Sequence, residues 1–91
     1  QFASPPLKGR GGKLSYKDQR DLDRLPGEIE RLEQEIERLE QEVSDPNLYS
    51  RDPARFAGLT GDIAELRAEK ERAEQRWLEV AEMAEALAAG G

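Results

Sequence analysis

Six basic side chains crowd the first 24 residues: Lys8, Arg10, Lys13, Lys17, Arg20 and Arg24, against only Asp18, Asp21 and Asp23. The other 67 residues hold eight basic and 17 acidic groups, so the net charge of −6 conceals a basic start on an acidic body. A cluster of Lys and Arg can hold phosphates by charge without reading a base sequence. The acidic remainder would repel phosphates, which confines such contact to one end. Other chemistries are poorly supplied. With no Cys and no His, the chain can form no disulfide, lacks the usual soft Zn ligands and cannot build a His-based nucleophilic triad. Its many Glu residues have no pocket in which a pKa could be tuned for acid–base work.

The element that must carry these groups is a heptad helix. Residues 28–41 repeat Glu-Ile-Glu-Arg-Leu-Glu-Gln twice, and Leu22, Leu25, Ile29, Leu32, Ile36, Leu39 and Val43 follow at steps of three and four. Ile or Val at a and Leu at d form one narrow apolar seam, flanked by Glu, Arg and Gln that pair along a solvated face. Such a helix needs a partner. A second stripe supplies it: Phe56, Leu59, Ile63, Leu66, Lys70, Ala73, Trp77, Val80, Ala84 and Leu87. Ninety-one residues, 36% hydrophobic and 37% charged, suit a thin coiled coil better than a globule with a thick core. No apolar run approaches a membrane span and no signal-peptide core precedes the polar start. The chain opens on Gln1, which is read as the start of a piece of a longer protein.

In chain order, residues 1–13 are expected to form a flexible basic linker. Pro5-Pro6 and the Gly9–Lys13 stretch show no apolar period, and the latter lacks the spacing of a phosphate-binding loop. Residues 14–88 are expected to form the coiled-coil domain. Ser15 is the expected N-cap of a short helix over 16–25, with Asp18 as capping-box acid. Pro26 should break that helix and start the next, over 26–44. Residues 45–53 form the turn, in which Asp45-Pro46 and Asp52-Pro53 each pair a cap with a proline, and 46–50 make one helical turn. Leu48 and Tyr49 should close the end of the seam. The return helix is placed at 53–88, frayed near Gly58 and Gly61, with 89–91 a disordered tail.

Folding back pairs Val43 with Phe56, Ile36 with Ile63, Leu32 with Leu66, Leu25 with Ala73 and Leu22 with Trp77. The break at Pro26 would leave room for the indole. Lys70 should snorkel toward a neighbouring Glu. The expected fold is thus all-α, an intramolecular antiparallel two-helix hairpin with a short N-terminal helix before Pro26, and monomeric. A dimer of extended helices is the competitor, disfavoured by the Pro-rich turn.

Several segments together carry a family resemblance. They are Lys13-Leu14-Ser15-Tyr16-Lys17-Asp18-Gln19-Arg20-Asp21-Leu22, then Leu25-Pro26 and Glu28–Glu33, the Asp45–Tyr49 turn, the Asp52–Phe56 restart and Arg76-Trp77-Leu78-Glu79. Over about residues 13–87 the chain resembles the C-terminal domain of Uup-type ABC-F ATPases. That resemblance implies a cytoplasmic parent with two ATP-binding cassettes that use ATP and Mg, followed by this coiled coil. It implies binding to DNA, or to structured RNA of the ribosome, by a piece that has no cassette motif, no cofactor and no membrane contact. The contact residues implied are Lys13, Lys17, Arg20 and Arg24. Lys8 and Arg10 extend them as a basic arm, and Arg51 and Arg55 at the turn form a second phosphate contact unless they serve as caps. Tyr16 could stack on a base, although packing on Trp77 or Val80 is the favoured expectation. The other class of function is a protein-docking arm that acts on the parent's cassettes or a ribosomal protein through exposed Leu residues or Met83.

Overall fold

The computed structural model describes residues 13–90. Helix α1 spans Tyr16–Val43, α2 is the single turn Leu48–Arg51, and α3 spans Pro53–Gly90. The helices α1 and α3 lie against each other to form a rod of 61 × 23 × 14 Å. This is the expected all-α hairpin. Its antiparallel sense follows from the packing: Ile36 and Leu39 meet Leu59 and Ile63, whereas Leu25 and Leu32 meet Ala73.

Local chemistry sets the ends. Ser15 is extended (φ −62°, ψ 163°) and its Oγ accepts the Asp18 N–H at 3.1 Å, the N-cap foreseen from sequence. At the other end the Ser44 N–H donates to the Glu40 carbonyl at 3.0 Å. Asp45 then accepts the Asn47 N–H at 3.0 Å and turns the chain. The single helical turn lies at 48–51 rather than 46–50, because Pro46 and Asn47 are used in that bend. Asp52 accepts the Arg55 N–H at 3.1 Å, so the Asp-Pro pair does start α3.

The core is two clusters along one seam. Leu48 closes the tip end beneath Ile36, Leu39, Leu59 and Ile63, with Val43, Phe56 and Leu66 packed against them. Leu25, Leu32 and Ala73 continue it, joined by Ile29 and Leu66. Each fully buried Leu or Ile contributes about 1.5–3 kcal/mol. Lys70 behaves as expected: its stem lies at the seam and Nζ reaches Glu33 at 3.3 Å and Glu74 at 3.7 Å. Tyr49 is exposed rather than buried in the end cap, and meets Phe56 edge-on with centroids 5.3 Å apart.

Five expectations are corrected. The short helix over 16–25 is not separate, for α1 runs through Pro26. Pro26 is exposed, so the Leu22 carbonyl that loses its donor can turn to water. The cost of about 3 kcal/mol for an interior proline is offset by Leu25 and Leu32, which pin both sides of it to one partner helix. Leu22 does not meet a buried Trp77: Leu22 is half-buried, Trp77 is 36% exposed, and Asp21 takes the inner position at 7%. Tyr16 packs on neither Trp77 nor Val80, being 82% exposed. Gly58 and Gly61 do not fray α3, since Leu59 and Ile63 beside them are anchored in the core. Finally, residues 89 and 90 continue the helix instead of starting a disordered tail, because the Ala-rich run that leads into them has high helix propensity; residue 91 lies outside the described residues.

A Cβ added at Gly58 or Gly61 would meet nothing within 4 Å. Gly58→Ala and Gly61→Ala should therefore each stabilise the hairpin, by about 0.5–1 kcal/mol. Leu59→Ala, at a side chain only 2% exposed, should cost about 2–5 kcal/mol. Urea melts followed by helical circular dichroism check both signs.

Candidate nucleic-acid interface

On α1, Lys17, Arg20 and Arg24 are separated by three and four residues, the interval at which a helix returns to the same side. These three and Lys13 are exposed. Lys17, Arg20 and Arg24 stand on the first turns of α1, with Lys13 just ahead of the Ser15 cap. Lys17, Arg20 and Arg24 therefore form a ridge on one side of the hairpin's open end, and Lys13 precedes them in the chain. Among the described residues neither Lys13 nor Arg20 has an ion-pair partner. Lys17 Nζ lies 4.0 Å from the Asp21 carboxylate, and Arg24 reaches Asp21 at 3.2 Å and also pairs with Glu28.

The other candidates do not join this ridge. Arg51 and Arg55 lie at the tip, the far end of α1. Arg51 pairs with Asp45 at 3.2 Å, and Arg55 Nε donates to Glu42 at 3.0 Å. The first bond ties α2 to the preceding turn and the second ties the start of α3 to α1, a structural use of both arginines. Lys8 and Arg10 lie outside the described residues.

A feature that the apolar row concealed sits directly beneath the ridge. Arg76 of α3 reaches across to α1, donating to Asp18 Oδ1 at 2.6 Å and to Asp21 Oδ2 at 3.0 Å, and along its own helix to Glu79 at 2.6 Å. The seam thus changes character at the open end, passing from Leu25 to Asp21 and Asp18 at helical intervals. That interval was visible in the sequence, but carboxylates in a heptad are ordinarily assigned to solvent. The Asp21 carboxyl is held below the usual carboxylate range, first by the Arg76 hydrogen bond, against its burial, and then by the charge of Arg24. Arg76 is held even more firmly protonated than an ordinary arginine by its bonds to Asp18, Glu79 and Asp21.

Tyr16 stands beside the ridge, three residues after Lys13 and four before Arg20. The grooves along the shaft are different. One is lined by Glu33, Glu37, Glu40, Arg67, Lys70 and Glu71 and has no enclosed cavity. Among the described residues no acidic group is arranged to hold a metal ion, and no helix is long and apolar enough to cross a membrane.

The chain matches the family described as the ABC transporter C-terminal domain over residues 13–82. It belongs to that family. A relative from Caulobacter vibrioides, named ATP-binding protein Uup, is 43% identical over 86 residues. That alignment takes in 94% of this chain and 14% of the relative, so the chain spans about one seventh of the protein it matches. No solved structure matches. The match begins at Lys13, so the ridge, Tyr16 and the Asp18–Asp21–Arg76 cluster all lie within the family region.

Because the folded pKa of Asp21 is depressed, its bond to Arg76 stabilises the hairpin fully above the unfolded carboxylate pKa. That contribution is lost as pH falls through the lower, folded value. Asp21→Asn should lower the melting temperature at pH 7, and the gap from wild type should narrow as pH falls from 4 toward 2. Thermal melts across pH 2–7 measure this difference, and subtraction removes the common effect of the other carboxylates.

Proposed function

We propose that the chain is a non-catalytic nucleic-acid-binding domain of an ABC-F-type ATP-binding protein. The observation that carries this reading is the exposed ridge of Lys17, Arg20 and Arg24, with Lys13 ahead of it, on a rod that is acidic elsewhere. Charges so placed hold the phosphates of DNA, or of structured RNA such as the ribosome presents, with the acidic shaft standing clear of the backbone. ATP and Mg belong to the cassettes of the parent, in the cytoplasm, and this hairpin works as a monomeric arm attached to them. Lys8 and Arg10 add to the basic end. Arg51 and Arg55, each engaged by a carboxylate, are secondary contacts.

A protein-docking arm is the second reading. It is favoured by Leu78, 53% exposed, beside Trp77 on α3. Met83, half-buried, is less available for such docking.

Fluorescence anisotropy with labelled duplex, branched and single-stranded DNA and with structured RNA separates the two. Four cations engaging phosphates of B-DNA give a slope of about −3.6 in log affinity against log salt, roughly a 100-fold loss between 50 and 200 mM. The variant with all four residues changed to Glu should not bind. Lys13→Glu with Arg20→Glu, which touches no ion pair among the described residues, should weaken binding and keep the fold by circular dichroism. No binding to any probe at low salt would defeat the nucleic-acid reading in favour of docking.

A further inference from the structure

We infer that Tyr16 is a stacking platform for an unpaired base, so that the ridge selects single-stranded nucleic acid over a continuous duplex. The inference rests on the nucleic-acid reading of the ridge and adds a specificity-determining residue to it.

Among the described residues Tyr16 is the most exposed of the large hydrophobic side chains, at 82%. Among the described residues no packing partner explains it. Its expected partners are occupied otherwise: Val80 is wholly buried, and the α3 side chain that reaches α1 near this level is Arg76, bonded to Asp18 and Asp21. Among the described residues the aromatic pair is Tyr49 with Phe56, at the other end of the rod. Tyr16 is nevertheless held in place. It is the first residue of α1, directly after a cap whose hydroxyl accepts the Asp18 N–H. The ring therefore stands on a capped first helical turn, next in sequence to Lys17, and four residues, about one turn, from Arg20.

That combination suits one ligand chemistry. Cations that track phosphates, with an aromatic face between them, are the two components by which proteins hold single strands, because every unpaired base offers a face to stack. A continuous duplex keeps its faces inside, so it can use the cations but not the ring. The tyrosine ring should thus add affinity for a single strand and none for a relaxed, covalently closed duplex circle, which has neither a loop nor an end.

The test uses the whole 91-residue chain with oligodeoxythymidine, oligouridine and a relaxed, covalently closed DNA duplex circle, at one salt concentration. Tyr16→Ala should weaken binding to both single strands at least about fivefold, with duplex affinity unchanged, and Tyr16→Phe should retain wild-type values. Tyr16→Trp should match or exceed them. Equal losses on single strand and duplex, no loss on either, or a Phe variant as weak as Ala would overturn the inference while leaving the phosphate ridge standing. Absence of binding by the wild type to all three probes would overturn both. Because Tyr16 buries so little surface, the Ala variant should keep its helix content, which circular dichroism checks.

Discussion

A helix with a single narrow apolar stripe can leave water in only one way, by meeting another stripe along its whole length. Everything in this hairpin depends on that constraint. Leu59, Ile63 and Ala73 take the places opposite Leu39, Ile36 and Leu25, and the Asp45–Pro53 turn merely brings the two rows into phase. A two-helix seam consumes the apolar residues and leaves no third layer. There is consequently no wall from which a deep cleft could be built, and any function must be carried on the outer faces by charge, aromatic surface and length.

Those outer faces are ordered by a contest among ions. Asp21 is bonded by Arg76 from across the seam, while Lys17 and Arg24 approach it from its own helix. The same lysine and arginine belong to the exposed ridge. A phosphate that engaged them would compete with Asp21, whereas Lys13 and Arg20 have no such rival among the described residues. The four cations are thus unequal in electrostatic cost, although they follow one another closely in the chain. Arg76 keeps Asp18 and Asp21 fastened to α3 in either case, so the base of the hairpin does not depend on its surface cations.

The parts legible in the sequence were those fixed by periodicity and by short-range caps. Steps of three and four placed Ile36 on Ile63 and Leu25 on Ala73, and Asp52-Pro53 announced the restart of α3, since both signals act within a turn or two of chain. The reading failed where tertiary packing overruled a local rule. Pro26 would end an isolated helix, but anchored leucines on both sides carry α1 through it. Leu22 was preferred to Asp21 as the inner residue because hydrophobicity alone was counted, and Arg76 on the distant helix made the carboxylate the better occupant. Hydrophobicity alone likewise favours a packed Tyr16, whereas its ring is exposed. The ridge followed from composition and resemblance, and the three- and four-residue steps from Lys17 to Arg24 already fell within the helix expected before Pro26.

That continuity has a mechanical side. A helix broken at Pro26 would give the rod a joint near its base, and motion at the open end would be absorbed there. With α1 continuous and clasped to α3 on both sides of the proline, the 61 Å body turns as one lever. A slight tilt at the open end, where α1 begins, becomes a sweep of many ångströms at Pro46 and Tyr49. The exposed tyrosine at the tip, braced against Phe56, is the point that travels farthest.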